Sequence, residues 1–226
     1  MSYFIQLKTT ENISLRDPNE TELGRKIISK SIYLIDKIGF EEFNFKKLAN
    51  EIESTQASIY RYFENKHKLL LYLSSWYWSW LEYIIKMNCN NIHNPKEKLD
   101  IIIRDIAQLG ASDPNIPHVN ESALYRIVVS ESSKAFLTKN IDKEVNKGYF
   151  SSYTSLCLYI SNTIKEVNPN YPYARTLASN LIETAHEQIF FAEHFPEVTN
   201  LICAKNSQVN EKIEEFLQHL VHKLVY

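Results

Sequence analysis

Between Asn19 and Asn94 the chain contains no proline, and its 226 residues include only four glycines. Proline and glycine are the strongest local breakers of a helix, so so long a stretch without proline reads as helix interrupted by short capped turns. The seven prolines (Pro18, Pro95, Pro114, Pro117, Pro169, Pro172 and Pro196) all fall where polar neighbours already suggest loops. Apolar residues supply the period. Leu23, Ile27, Ile28, Ile32, Ile35 and Ile38 recur at three- and four-residue steps, which predicts a first helix over 21–38 stopped by Gly39. Asn44, Thr55 and Asn65 are placed as N-caps, opening helices over 45–52, 56–62 and from 66 to about 87. Beyond Asn94-Pro95 the same signals predict helices over 95–109, 120–130, 133–146, 150–167, 173–193 and 208–224, with no strand.

The last two of these carry wide apolar stripes. Ala174, Leu177, Ala178, Leu181, Ile182, Ala185, Ile189 and Ala192 line one helix; Val209, Ile213, Phe216, Leu217, Leu220 and Leu224 line the other. Such stripes bury against their own chain or against a second copy, and Leu181, Ala185, Ile189, Phe216 and Leu220 are the residues placed in a dimer interface.

A net charge of −2 and a pI near 6.4 exclude a uniformly basic nucleic-acid binder, so contact with DNA requires a local patch. From Asn44 to Leu70 five cations face three anions, whereas the final 56 residues hold four cations and seven anions. Cys89, Cys157 and Cys203 are far apart, odd in number and lack CxxC spacing, which fits reduced thiols and neither a disulfide framework nor a zinc site. The N-terminal stretch has no apolar h-region and no run is long enough to span a bilayer, so the expectation is a cytoplasmic protein that does not engage a membrane.

Two short helices joined by a tight turn, with a third helix before them, form a helix-turn-helix, whose second helix enters the major groove. In that setting Thr55 opens the reading helix and the small Ala57 and Ser58 allow close approach. Gln56 suits adenine, and Arg61 suits guanine or phosphate. Tyr60 and Tyr62 are expected to donate hydroxyls to phosphates, Lys46 and Lys47 to add charge, and Lys66 to clamp phosphate at the start of the fourth helix. Ile59 and Phe63 face back into the three-helix core.

With Gly39-Phe40, Leu48-Ala49, the run Thr55-Gln-Ala-Ser-Ile-Tyr-Arg-Tyr-Phe-Glu-Asn-Lys66 and Leu69-Leu70, the chain resembles the TetR-type transcriptional regulators over about residues 21–71. The resemblance implies an all-α homodimer that binds a double-stranded DNA operator and needs no cofactor, metal or catalytic residue. It implies a flexible arm over 1–20, a helix-turn-helix domain over 21–66, and a helical ligand-binding and dimerisation domain over 67–226. A repressor released by a small apolar or aromatic ligand is the expected function. Where the family usually has glycine in the turn, this chain has Glu53, followed by Ser54 in place of an apolar residue.

Trp76, Trp80 and Tyr83 share one face at i, i+4 and i+7. With Tyr153 and His186 they either pack as core or line the ligand cavity. Two other readings stay open on residues alone. Glu183-x-x-His186 has the spacing of a ligand pair in a helical-bundle metal-dependent oxidase, without a second copy. Glu53 and the shallow local charge suit a family member that acts as a small-molecule-binding module with weak DNA binding.

Overall fold

The computed structural model describes residues 13–108, 119–201 and 209–226, and among them every regular element is helical. In chain order these are α1 (Glu22–Glu42), α2 (Phe45–Glu51), α3 (Gln56–Tyr60), α4 (Lys66–Asn88), α5 (Pro95–Ala107), α6 (Glu121–Phe136), α7 (Ile141–Asn146), α8 (Ser151–Val167), α9 (Ala174–His194) and α10 (Val209–Val225). The expected caps are in place. Thr21 Oγ1 accepts from the Gly24 amide at 3.0 Å, Asn44 Oδ1 from Lys47 at 2.9 Å, Asn65 Oδ1 from Lys68 at 2.9 Å and Asn120 Oδ1 from Ala123 at 2.9 Å.

Two boundaries differ from the sequence expectation. Gly39 turns the chain with φ 75° and ψ 159°, but a further turn, Phe40–Glu42, continues α1 beyond the kink. The segments expected over 120–130 and 133–146 are instead one helix, α6, and a short α7. No breaker lies between Ser130 and Ser133, so the ladder runs on until the exposed Leu137.

The chain divides into two compact units. The first comprises Met1–Trp80 and Gly110–Ser152; the second comprises Leu81–Leu109 and Tyr153–Tyr226. The division therefore falls inside α4 at Trp80, well past the boundary expected at residue 66, because α6 and α7 pack on α1 and on the start of α4.

In the first unit, Ile27, Ile28, Ile32 and Ile35 of α1 meet Phe43, Leu48, Ile59, Phe63 and Leu69, all essentially inaccessible to solvent. Each such side chain contributes about 1.5–3 kcal/mol on burial, which lets a five-residue helix such as α3 persist although it would not form alone. Phe45 and Tyr60 meet edge to face at 5.1 Å, tying α2 to the end of α3. Before α1, Pro18 lies so close to Gly24 that a Cβ there would come within 2.2 Å of the Pro18 carbonyl oxygen.

The second unit is built on α5, α9 and α10, which pack against one another through Leu99, Ile102, Ile103 and Ile106, Leu177, Leu181 and Ile182, and Ile213, Leu217 and Val221. His186 is buried among this apolar surface, and burial lowers its imidazole from the ordinary 6.5 to about 3. In the unfolded chain the same ring binds a proton below about pH 6.5, so in that range the unfolded state holds more protons than the folded one. Unfolding free energy is thus expected to fall as pH drops from about 6.5 towards 3. Urea denaturation at pH 7 and pH 5 measures this slope, and His186→Phe should flatten it.

Candidate nucleic-acid interface

The turn between α2 and α3 is a Schellman motif. The Ser54 amide donates to the Ala49 carbonyl at 2.9 Å, and the Glu53 amide to Asn50 at 3.2 Å. That motif requires a left-handed residue, and Glu53 supplies it at φ 53°. A side chain with a Cβ pays roughly 1 kcal/mol for that conformation, so the departure from glycine seen in the sequence is a real cost in the fold. Thr55 Oγ1 then caps α3 by accepting from the Ser58 amide at 3.2 Å.

Of the helix-turn-helix residues, Lys46, Lys47, Thr55, Gln56, Ala57, Tyr60 and Arg61 are exposed, Ser58 is half-buried, and Ile59 and Phe63 point into the core. One turn of helix thereby offers an amide, small side chains, a phenol and a guanidinium on a single outward face. Lys47 is partly committed, since its Nζ donates to the Glu42 carbonyl at 2.8 Å and pairs with Glu42 Oε2 at 3.2 Å.

Two expected phosphate contacts are placed elsewhere. Tyr62 is only 3% exposed, and its hydroxyl is 2.7 Å from Thr21 Oγ1, so it anchors the start of α1 and does not reach outward. Lys66 Nζ donates to the carbonyls of Phe40 at 3.0 Å, Glu41 at 3.1 Å and Phe43 at 3.2 Å, and lies 4.7 Å from the Phe40 ring centroid. All three donors of the ammonium are used, on acceptors left over where α1 ends. A cation at a helix C-terminus also sits well with the helix dipole. The helix-turn-helix reading placed Lys66 at the DNA because a cation at the start of a helix fits a phosphate; the fold gives it three partners inside the chain instead.

The head is braced by carboxylates that no local pattern marks. Buried Glu144 of α7 meets His67 Nε2 at 3.1 Å and Lys68 Nζ at 3.3 Å, fixing the first turn of α4. Arg126 of α6 pairs with Asp36 of α1 through two bonds of 2.8 and 2.7 Å. Leu15 donates its amide to the Tyr62 carbonyl at 2.8 Å, laying the preceding segment along the head.

Residues 27–73 match the family described as bacterial regulatory proteins, tetR family. Residues 27–73 carry this family's N-terminal domain. No curated protein matches by sequence. Among solved structures, a tetR-family regulator from Syntrophomonas wolfei str. Goettingen is similar with a TM-score of 0.63 at 15% identity, over 89% of this chain and 97% of that one. AibR, in complex with isovaleryl coenzyme A and operator DNA, is similar with a TM-score of 0.59 at 15% identity, over 85% and 97% of the two chains. The fatty acid degradation regulator FadR from Bacillus halodurans gives 0.55 at 12% identity, over 85% and 93%. At these identities the likeness is one of fold. The matched domain is one of bacterial regulatory proteins, a family of transcriptional regulators and not of enzymes.

The residues expected around a ligand divide between the two units. In the first, Trp76 and Trp80 are buried, and Tyr77 lies 4.9 Å from Trp78, 6.0 Å from Trp80 and 6.2 Å from Tyr125, a packed aromatic cluster. In the second, Tyr83 is half-buried and Tyr153 donates its hydroxyl to Glu183 Oε1 at 2.7 Å. Burial raises the Glu183 carboxyl above its ordinary range and pushes the neighbouring Cys157 thiol up to about 11. Glu183 is therefore engaged by a phenol, and among the described residues no three His, Cys, Asp or Glu side chains are grouped to hold a metal.

The dimer residues also separate. Leu181, Ala185 and Ile189 are buried within their own unit, so a second copy cannot reach them without opening the α5, α9 and α10 core. On α10 the single expected stripe is two: Val209, Ile213, Leu217, Val221 and Val225 face inward, while Phe216 is 37% and Leu224 45% exposed with Leu220 half-buried between them.

Two variants test these assignments. Lys66→Met should lower unfolding free energy by about 1–3 kcal/mol by leaving three carbonyls without their donor. It should leave the salt dependence of DNA binding within a few tenths of wild type, where losing a phosphate contact would change the slope by about 0.9. Glu53→Gly should raise stability by about 1 kcal/mol in urea denaturation.

Proposed function

We propose that this regulator is a repressor that binds a pseudo-palindromic operator as a homodimer and is released by an apolar or aromatic small molecule. The observation that carries the DNA half is the outward face of α3, on which Gln56, Ala57, Tyr60 and Arg61 are exposed while Ile59 of the same helix is fully buried. Tyr60 also packs its ring on Phe45, whereas Gln56, Ala57 and Arg61 point away from the core. Gln56 suits adenine, and Arg61 suits guanine. With Tyr62 and Lys66 committed inside the fold, phosphate contact rests on Lys46, Tyr60, Arg61 and the capped start of α3.

Support for a homodimer comes from α10. Its outer edge sets Phe216, Leu220 and Leu224 at four-residue steps beside a fully seated inner stripe, an apolar row that a second copy would cover by twofold pairing. A dimer of helix-turn-helix heads reads two half-sites about one helical turn of DNA apart, which is why the operator is expected to be pseudo-palindromic. For the ligand, the support is the polar-tipped group formed by Tyr153, Cys157 and Glu183 in the second unit. AibR provides a precedent of the same fold holding an acyl thioester of coenzyme A together with operator DNA.

The experiment is selection of duplexes from a random pool by the full chain, followed by titration of the selected operator. Arg61→Ala should relax preference at one base pair in each half-site by about 1–3 kcal/mol. Equal effects on selected and random duplex would remove its base-reading role. Leu220→Glu should sediment as a monomer and lose operator binding; a wild type that sediments as a monomer at micromolar concentration would overturn the dimer.

A further inference from the structure

Between the kink at Gly39 and the start of α2, the Phe40 amide and the carbonyls of Phe40, Glu41 and Phe43 are held by side chains from other helices. Gly39, at φ 75° and ψ 159°, swings the following amide out of the α1 ladder. Phe40 is 6% exposed, so that amide must find an acceptor inside the protein. It finds the carboxylate of Glu131 from α6, 91 positions away in sequence, with Phe40 N donating to Oε1 at 3.1 Å. Glu131 is itself buried, and its second oxygen lies 2.6 Å from Lys134 Nζ, which also reaches Glu41 Oε1 at 3.1 Å. The carbonyls of Phe40, Glu41 and Phe43 are meanwhile held by Lys66. A carboxylate from α6 holds the donor of this link and an ammonium from α4 holds its acceptors.

We propose that Glu131 is a positioning residue for DNA reading: by holding the Phe40 amide, α6 sets the direction in which the chain leaves α1, and with it the orientation of α2 and α3. This rests on α3 being the reading helix. The Arg126–Asp36 pair, one helical turn earlier along α1, sets the register in which α6 lies against it, with bonds of 2.8 and 2.7 Å. If α6 slides along α1, Glu131 leaves the amide, and a buried donor and a buried carboxylate are both left short of a partner. That cost makes the link bistable, either seated or released, and not gradually deformable. Displacement of α6 would in this way reach the reading head without touching any residue that meets DNA.

The test compares full-length wild type with Glu131→Gln and Glu131→Ala by three readings: urea denaturation, amide hydrogen exchange at Phe40, and affinity for a selected operator and for random duplex. Gln keeps an oxygen that can accept from the amide, so Glu131→Gln should retain Phe40 protection and operator affinity within about threefold of wild type. Glu131→Ala should exchange its Phe40 amide faster and bind operator about tenfold more weakly, in the range of typical couplings. Random duplex should be affected less, because misorientation costs base contacts more than phosphate contacts. These affinities are compared where denaturation shows each variant fully folded. A folded Glu131→Ala with wild-type operator affinity overturns the proposal, as does a Glu131→Gln that loses as much as Ala while Phe40 stays protected. If wild type selects no duplex at all, the DNA reading itself fails, an outcome distinguishable because the Phe40 exchange comparison is independent of DNA.

Discussion

Three carbonyl oxygens at the end of α1 converge on one ammonium, that of Lys66, and the arrangement of the helix-turn-helix depends on it. A helix that ends inside a protein leaves acceptors that water cannot reach, and a chain that must turn sharply into a second helix has no room for an extra capping turn. Here a long side chain from the next long helix supplies the donors. The same contact joins α1 to α4, so the two helices that flank α2 and α3 are fixed relative to each other within the first unit. Phe43, Leu48, Ile59 and Phe63 then fill the space between them with no exposed surface left over.

The commitment of Lys66 has an electrostatic consequence for DNA binding. A regulator that spends one of its few local cations on its own backbone, pairs another, Lys47, with Glu42, and carries Glu53 in the turn presents a weak positive field. Under the proposed function, encounter with DNA is then less salt-driven than for a strongly basic head, and a larger share of affinity falls to the exposed face of α3.

In the second unit the chemistry is set by burial. His186 is kept neutral, the Cys157 thiol is held up near 11 and so is a poor nucleophile, and Glu183 satisfies itself on the Tyr153 hydroxyl. Low dielectric around these groups favours their uncharged forms and short hydrogen bonds among them. These groups are thereby held in chemically unreactive forms.

Much of the architecture was legible in the residues. The missing prolines, the period of the apolar positions and the asparagine and threonine caps define where helices begin, because capping and periodicity are local and act over a single turn. The helix-turn-helix, its reading helix and the left-handed position taken by Glu53 follow from the same local rules. What those rules could not supply is the partner of each polar side chain. Lys66 and Tyr62 have the right chemistry for phosphate, and only the fold shows that the carbonyls at the end of α1 and Thr21 claim them first. The apolar stripe of α10 reads as one band, and only its docking on α5 and α9 divides it into an inner row and an outer one. Glu131 and Glu144 lie 91 and 77 positions from the groups they hold. The sequence by itself determined the helices and the surface chemistry each could offer. The tertiary structure decided which of those groups remain free to act, because a hydrogen-bonding group goes to whichever partner the fold brings within about 3 Å, however distant along the chain.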